Sequence, residues 1–146
     1  MDDLKFIKDA AETGDFSKFW VPVMAVFIVH NIGEAAGNMP KWGQEHFAFL
    51  HGIGNLQLEF AIMVTILILV LIAIAFACRK NYRLTRLLML IFTIFMTGNC
   101  IWHTCTSLVA RSPSPGLWEA LILGLPVYSY TLYRIIKYEK MSKAKD

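Results

Sequence analysis

A chain of 146 residues with 56% apolar side chains and a mean hydropathy of +0.50 is too hydrophobic for a water-soluble domain of its size. Its 14 basic and 11 acidic residues leave a net charge of +3, but the cations sit beside apolar segments. Anionic lipid and membrane topology account for such a placement, so no nucleic-acid partner is expected.

Continuous apolar length sets the fold class. A helix rising about 1.5 Å per residue needs roughly 20 apolar residues to cross about 30 Å of hydrocarbon. Four segments approach that length, which predicts an all-α polytopic membrane protein, a four-helix transmembrane bundle over 19–134. Ahead of it, residues 1–18 mix Lys and Asp with Phe6, Ile7 and Phe16, and with Phe19 just beyond; this suits an amphipathic interfacial helix or a disordered tail. The stretch is rich in acidic residues and no cleavage pattern follows the first apolar run, so the first span is expected to be retained.

The first span, 19–39, carries His30 and Glu34 and has Pro22 in its opening turn. Between it and the second span, Pro40, Gly43, Gly52 and Gly54 predict an irregular re-entrant or surface segment, and its Trp42, His46, Phe47 and Phe49 suit the interfacial belt. The second span, 60–78, has no charge; the third, 87–110, carries Asn99 and His103. A short, stiff loop, Arg111-Ser-Pro-Ser-Pro-Gly116, leads to the fourth, 117–133, which contains Glu119 and is expected to kink at Pro126. Residues 135–146 form a solvated basic tail. Arg79, Lys80, Arg83 and Arg86 lie on one side with Arg134, Lys137, Lys140, Lys143 and Lys145, against Lys41 and Arg111 on the other. That asymmetry predicts both termini on the cytoplasmic side. Cys78, Cys100 and Cys105 form no framework and read as small apolar fillers.

Ionisable groups inside a membrane helix are costly unless they meet partners or water, so each is a functional candidate. Counted along the helices from the flanking cations, His30 lies about 18 Å deep, Asn99 about 20, Glu119 about 22, Glu34 about 24, His103 about 26 and Glu59 about 30. All four spans thus contribute to one band in the outer half of the bilayer. His30 and Glu34 are four residues apart, as are Asn99 and His103, so each pair shares a helix face. Imidazole and carboxylate together suit zinc, iron or manganese, and the same groups suit acid–base work. Gly33 and Gly37 form a small-x-x-x-small step that predicts close helix packing, and Trp102 suits either a pocket wall or the aromatic belt.

The run His30-Asn-Ile-Gly-Glu34 followed by Met39-Pro40-Lys41-Trp42, with Glu59, Asn99-Cys-Ile-Trp-His103, Pro115-Gly116 and Pro126 further on, resembles the bacterial HXXEE domain family. The resemblance implies a small multi-helix protein of the bacterial cytoplasmic membrane and no particular activity. Gly33 stands where that pattern has its first glutamate. In the order of its polar residues, His30-x-x-x-Glu34, Glu59 and Asn99-x-x-Trp102, the chain also resembles the sterol isomerase and sigma-2 receptor membrane fold. That similarity implies binding or protonation of lipophilic ligands.

These readings converge on a pocket in which His30, Glu34, Glu59 and His103 bind a divalent metal or act as acid and base on a lipophilic substrate, with Asn99, Trp102 and Glu119 contacting it. Membrane lipid is the expected surrounding. A binding or transport role for metal, haem between His30 and His103, or a hydrophobic molecule is the second class, and a structural membrane subunit the third. The oligomeric state is left open.

Overall fold

The computed structural model describes residues 13–51 and 56–144, and among them every regular element is helical. Most of the expected amphipathic segment, 1–12, lies outside the described residues. A 3-10 turn, Ser17–Phe19, leads into α1, Trp20–Ala36. The buried residues of α1 are Trp20, Val23, Met24, Phe27, His30, Asn31 and Glu34, a three-and-four spacing that makes one continuous inward face. Phe16 and Phe19 are buried in the core rather than lying at an interface, packing on each other and, through Phe16, edge-on against Tyr138. Phe16→Ala should therefore cost about 3 kcal/mol. The measurement is thermal unfolding in detergent, and an unchanged midpoint would remove this segment from the core.

α1 ends before the predicted residue 39 because Gly37 is followed by Asn38 in the left-handed region, at φ 52°. The segment expected to be irregular then forms α2, Met39–His46. Asn38 Oδ1 accepts a hydrogen bond from the Lys41 amide at 3.2 Å, and Pro40 falls in the first turn, where its missing N–H costs nothing. A 3-10 turn, Ala48–Leu50, follows.

α3, Gln57–Cys78, buries only Val64 and exposes apolar side chains all round. α4, Tyr82–Ala110, begins ahead of its predicted start because Asn81 caps it, its side chain accepting from the Leu84 amide at 3.0 Å. The inward stripe of α4 runs Thr85, Met89, Thr93, Met96, Cys100, His103, Thr106 and Ser107. The last helix, α5, runs without a break through Leu117–Glu119, a π turn at Ala120–Gly124, and Leu125–Lys143. The π turn is the local answer to Pro126, whose ring would clash with a carbonyl one turn earlier in a regular helix. The basic tail is thus a continuation of α5 as far as Lys143.

Among the described residues, three stretches are long and apolar enough to cross a membrane: Ser17–Ala36, α3 and α4. α5 is not among them, since its apolar part between Glu119 and Arg134 is short and the rest is polar. The core lies between α1, α4 and α5, where Val23, Phe27, Met89, Met96, Cys100, Tyr128 and Ile135 meet, and α3 adds partly buried Ile68 and Leu71 at its flank. At one end Arg86 clamps the bundle: its guanidinium pairs with Glu139 at 2.5 Å and lies over the Tyr138 ring at 4.7 Å. At the other end the same inward faces of α1 and α4 become polar.

Candidate functional site

His30 and Glu34 on α1 and His103 on α4 occupy the next positions of stripes that elsewhere bury apolar side chains. Helical periodicity therefore carries them inside, and all three are buried, with exposures of 2%, 8% and 0%. His103 Nε2 is 2.9 Å from Glu34 Oε1, and His30 Nε2 is 3.6 Å from the same oxygen. One nitrogen or oxygen from each of the three lies within 4.8 Å of the others. Just below, Phe92 packs against Trp20, Phe27 and Tyr128, an aromatic layer under the polar cluster.

The loop after α4 folds back over the cluster. Arg111 takes a left-handed conformation at φ 51°, the Ser112 amide donates to the Ser107 carbonyl at 3.1 Å, and the Ser114 amide donates to Ser107 Oγ at 2.8 Å. Held in this way, Ser114 Oγ lies 2.9 Å from His103 Nδ1 and the Gly116 carbonyl lies 3.1 Å from His30 Nδ1. A carbonyl only accepts, so His30 carries its proton on Nδ1 and presents the Nε2 lone pair inward. That atom is buried and has no hydrogen-bond partner among the described residues, and the nearby Glu34 carboxylate oxygen is another acceptor. Two acceptors facing each other out of water call for a cation or a proton between them.

Two of the three distances match the spacing of ligands on a metal. A tetrahedral ion with ligands about 2.0–2.1 Å away holds those ligand atoms roughly 3.3 Å apart. The two edges at Glu34 Oε1, 2.9 and 3.6 Å, bracket that spacing, while the group as a whole spans up to 4.8 Å and would have to close on an ion. The outer hydrogen bonds also fit, because a metal-binding histidine commonly anchors its second nitrogen on a carbonyl or hydroxyl. Ser114 serves His103 in either tautomer: its hydroxyl can donate to Nδ1, or accept from it while turning to the His103 carbonyl at 3.4 Å.

The other sequence candidates fall outside this triad. Glu59 is exposed in the first turn of α3 and is not brought to the cluster, since that turn sits at the rim rather than on an inward face. Asn99 is half-buried one turn before His103, and its Oδ1 is buried without a hydrogen-bond partner among the described residues. Trp102 is 58% exposed and walls an apolar groove of about 350 Å³ together with Thr106, Trp42, Phe47, Leu50 and Phe60. Thr106 and Trp102 flank His103 on α4, and Trp42 is tied to the fold-back loop by a 3.4 Å bond to Ser112 Oγ. Glu119 is half-buried in the first turn of α5, against Gly33. The rings of His30 and His103, the pair considered for haem, stand edge to face with centroids 4.8 Å apart, closer than rings on either side of a porphyrin plane. His46 stacks on Trp42 and bonds its carbonyl at 2.8 Å, while His51 is exposed. Sequence reading missed Ser107, Ser114 and the Gly116 carbonyl. Only the proline spacing of that loop signalled them.

One protein family, described as "Protein of unknown function with HXXEE motif", matches residues 21–131. A relative in Bacillus subtilis (strain 168), "Uncharacterized protein YrkK", is 28% identical over 108 residues, covering 73% of this chain and 68% of its own length. No solved structure matches. The matched family region includes α1 from its second residue and all of α3 and α4, and so every residue of the buried triad.

Proposed function

We propose, given that the chain belongs to the HXXEE-motif family, that it is an integral membrane protein whose four spans surround a divalent-metal centre at His30, Glu34 and His103 acting on a lipophilic substrate. The observation that carries this reading is the bare, buried His30 Nε2 beside Glu34 Oε1, with the other imidazole nitrogen already engaged. Two imidazoles and one carboxylate with open positions suit zinc or ferrous iron. Bound there, such an ion would supply Lewis-acid polarisation or an activated water.

The chain's own residues would do the rest. Gly116 and Ser114 fix the two imidazoles, and Asn99 lies one turn before His103 on α4 with its Oδ1 buried and unpaired among the described residues. The apolar groove beside Trp102 and Thr106 would admit a lipophilic molecule from the bilayer next to the His103 turn. Membrane insertion is supported by α3, whose exposed Ile62, Ile66, Leu69 and Phe76 would be untenable in water. For α5, the argument for a fourth span is that its polar residues nearest the site turn inward, and its cations begin only at Arg134. The Lys and Arg asymmetry favours both termini in the cytoplasm.

A second reading rests on the hydrogen-bond chain from Ser107 through Ser114 and His103 to Glu34, which has the connectivity of a proton relay. Elemental analysis of detergent-purified protein, with mass spectrometry of co-purifying lipid, separates the two. We expect about one zinc, iron or manganese per chain, absent from His30→Ala protein. Protein free of metal from metal-replete cells would sink the metal centre and leave the relay.

A further inference from the structure

The family motif has two glutamates, and this chain keeps only the second, Glu34; the first position is Gly33. The space a side chain would take at position 33 is already filled. A Cβ built on Gly33 would lie 2.6 Å from Glu119 Oε1, 2.7 Å from its Cδ and 3.0 Å from Oε2. It is thus the carboxylate end of Glu119, rather than its stem, that lies against α1 at this point.

The approach is systematic. A Cβ at Gly37, one turn further along α1, would lie 2.6 Å from Pro115 Cβ. Between these contacts the Gly116 carbonyl takes the His30 Nδ1–H bond. Residues 115–119 therefore lie along α1 from Gly37 back to His30, and Glu119 is followed at once by the π turn Ala120–Gly124. Such turns re-aim the residues around them and recur at functional sites.

We infer that Glu119 supplies, from α5, the second carboxylate that the motif places on α1, and that Gly33 is what admits it. Position 33 is three residues from His30 on α1, so a carboxylate held there lies on a strip of the helix beside the His30–Glu34–His103 group without displacing any of its members. Two carboxylates forced into that volume would overlap and repel. Glycine at 33 and glutamate at 119 are accordingly a coupled pair. The role of the carboxylate towards a cation rests on the metal reading; the exchange of positions does not.

Four variants test the inference by unfolding temperature in detergent and by zinc affinity. Gly33→Glu should lower the unfolding temperature by about 5 °C or more. The double variant Gly33→Glu with Glu119→Ala should recover much of that loss, and should bind zinc more tightly than Glu119→Ala alone. Glu119→Gln keeps the shape and removes the charge, so it should leave unfolding almost unchanged while weakening zinc binding about tenfold. A double variant no more stable than Gly33→Glu, or undiminished zinc affinity in Glu119→Gln, would overturn the inference. If the unaltered protein binds no zinc, the metal reading fails, and the recovery of unfolding temperature alone decides whether the two positions exchange.

Discussion

Glu34→Gln is expected to lower metal affinity at least about 100-fold while leaving the helices folded. The substitution is close to isosteric, and a glutamine oxygen still accepts the hydrogen bond that His103 Nε2 offers at 2.9 Å. What it removes is the negative charge. Among His30, Glu34 and His103 that carboxylate is the one anionic donor, and its Oε1 lies within reach of both imidazoles. A divalent ion taken out of water into this buried pocket is offset chiefly by that charge, since neutral imidazoles contribute donors but no net charge. Metal content after dialysis is the measurement, with circular dichroism to show that helicity persists. Full occupancy in the variant would mean that Glu34 is not a ligand. Loss of helicity together with metal would instead make the Glu34–His103 bond part of what holds α1 to α4.

Much of this centre could be read from residue spacing. His30 with Glu34, and Asn99 with His103, are each four apart, and the three-and-four stripes that bury Phe27 and Cys100 carry these pairs inward as well. Depth along the helix located His103 against Glu34 because α1 and α4 run in the same direction, with both residues towards the C-terminal ends of their helices. Depth alone failed for Glu59. It sits at a comparable level but on a helix that buries only Val64, so nothing turns its side chain towards the bundle. Local backbone chemistry accounts for the other differences. Pro40 opened a helix instead of breaking one because Asn38 caps it, and Pro126 produced a π turn within a continuous helix. The fold-back of 111–116 depends on Ser107 reaching across seven residues to the Ser114 amide, a contact without helical or strand periodicity. No pattern of apolar positions encodes it.

Gly116→Ala is expected to have an effect comparable to loss of a ligand, although position 116 offers no side chain to the site. Gly116 has φ 82°, a conformation that costs an L-residue about 1–2 kcal/mol. An added methyl would also sit 2.7 Å from Glu34 Cγ and 3.0 Å from His30 Cε1. Neither neighbour can yield easily: His30 is tied to the Gly116 carbonyl itself, and Glu34 is fixed by His103. Relief requires the loop to lift from α1, which breaks the bond that sets the His30 tautomer and frees the ring to turn. Metal retention should then fall with stability, and together they should fall further than the backbone strain alone predicts. Gly98→Ala is the control. It lies within α4 with nothing inside 4 Å of an added Cβ, so the same methyl should raise stability by about 0.5–1 kcal/mol and leave metal content unchanged. Unfolding and elemental analysis of both proteins decide the matter. A Gly116→Ala protein that keeps its metal would show that the His30 imidazole is oriented by something other than the carbonyl of the fold-back loop.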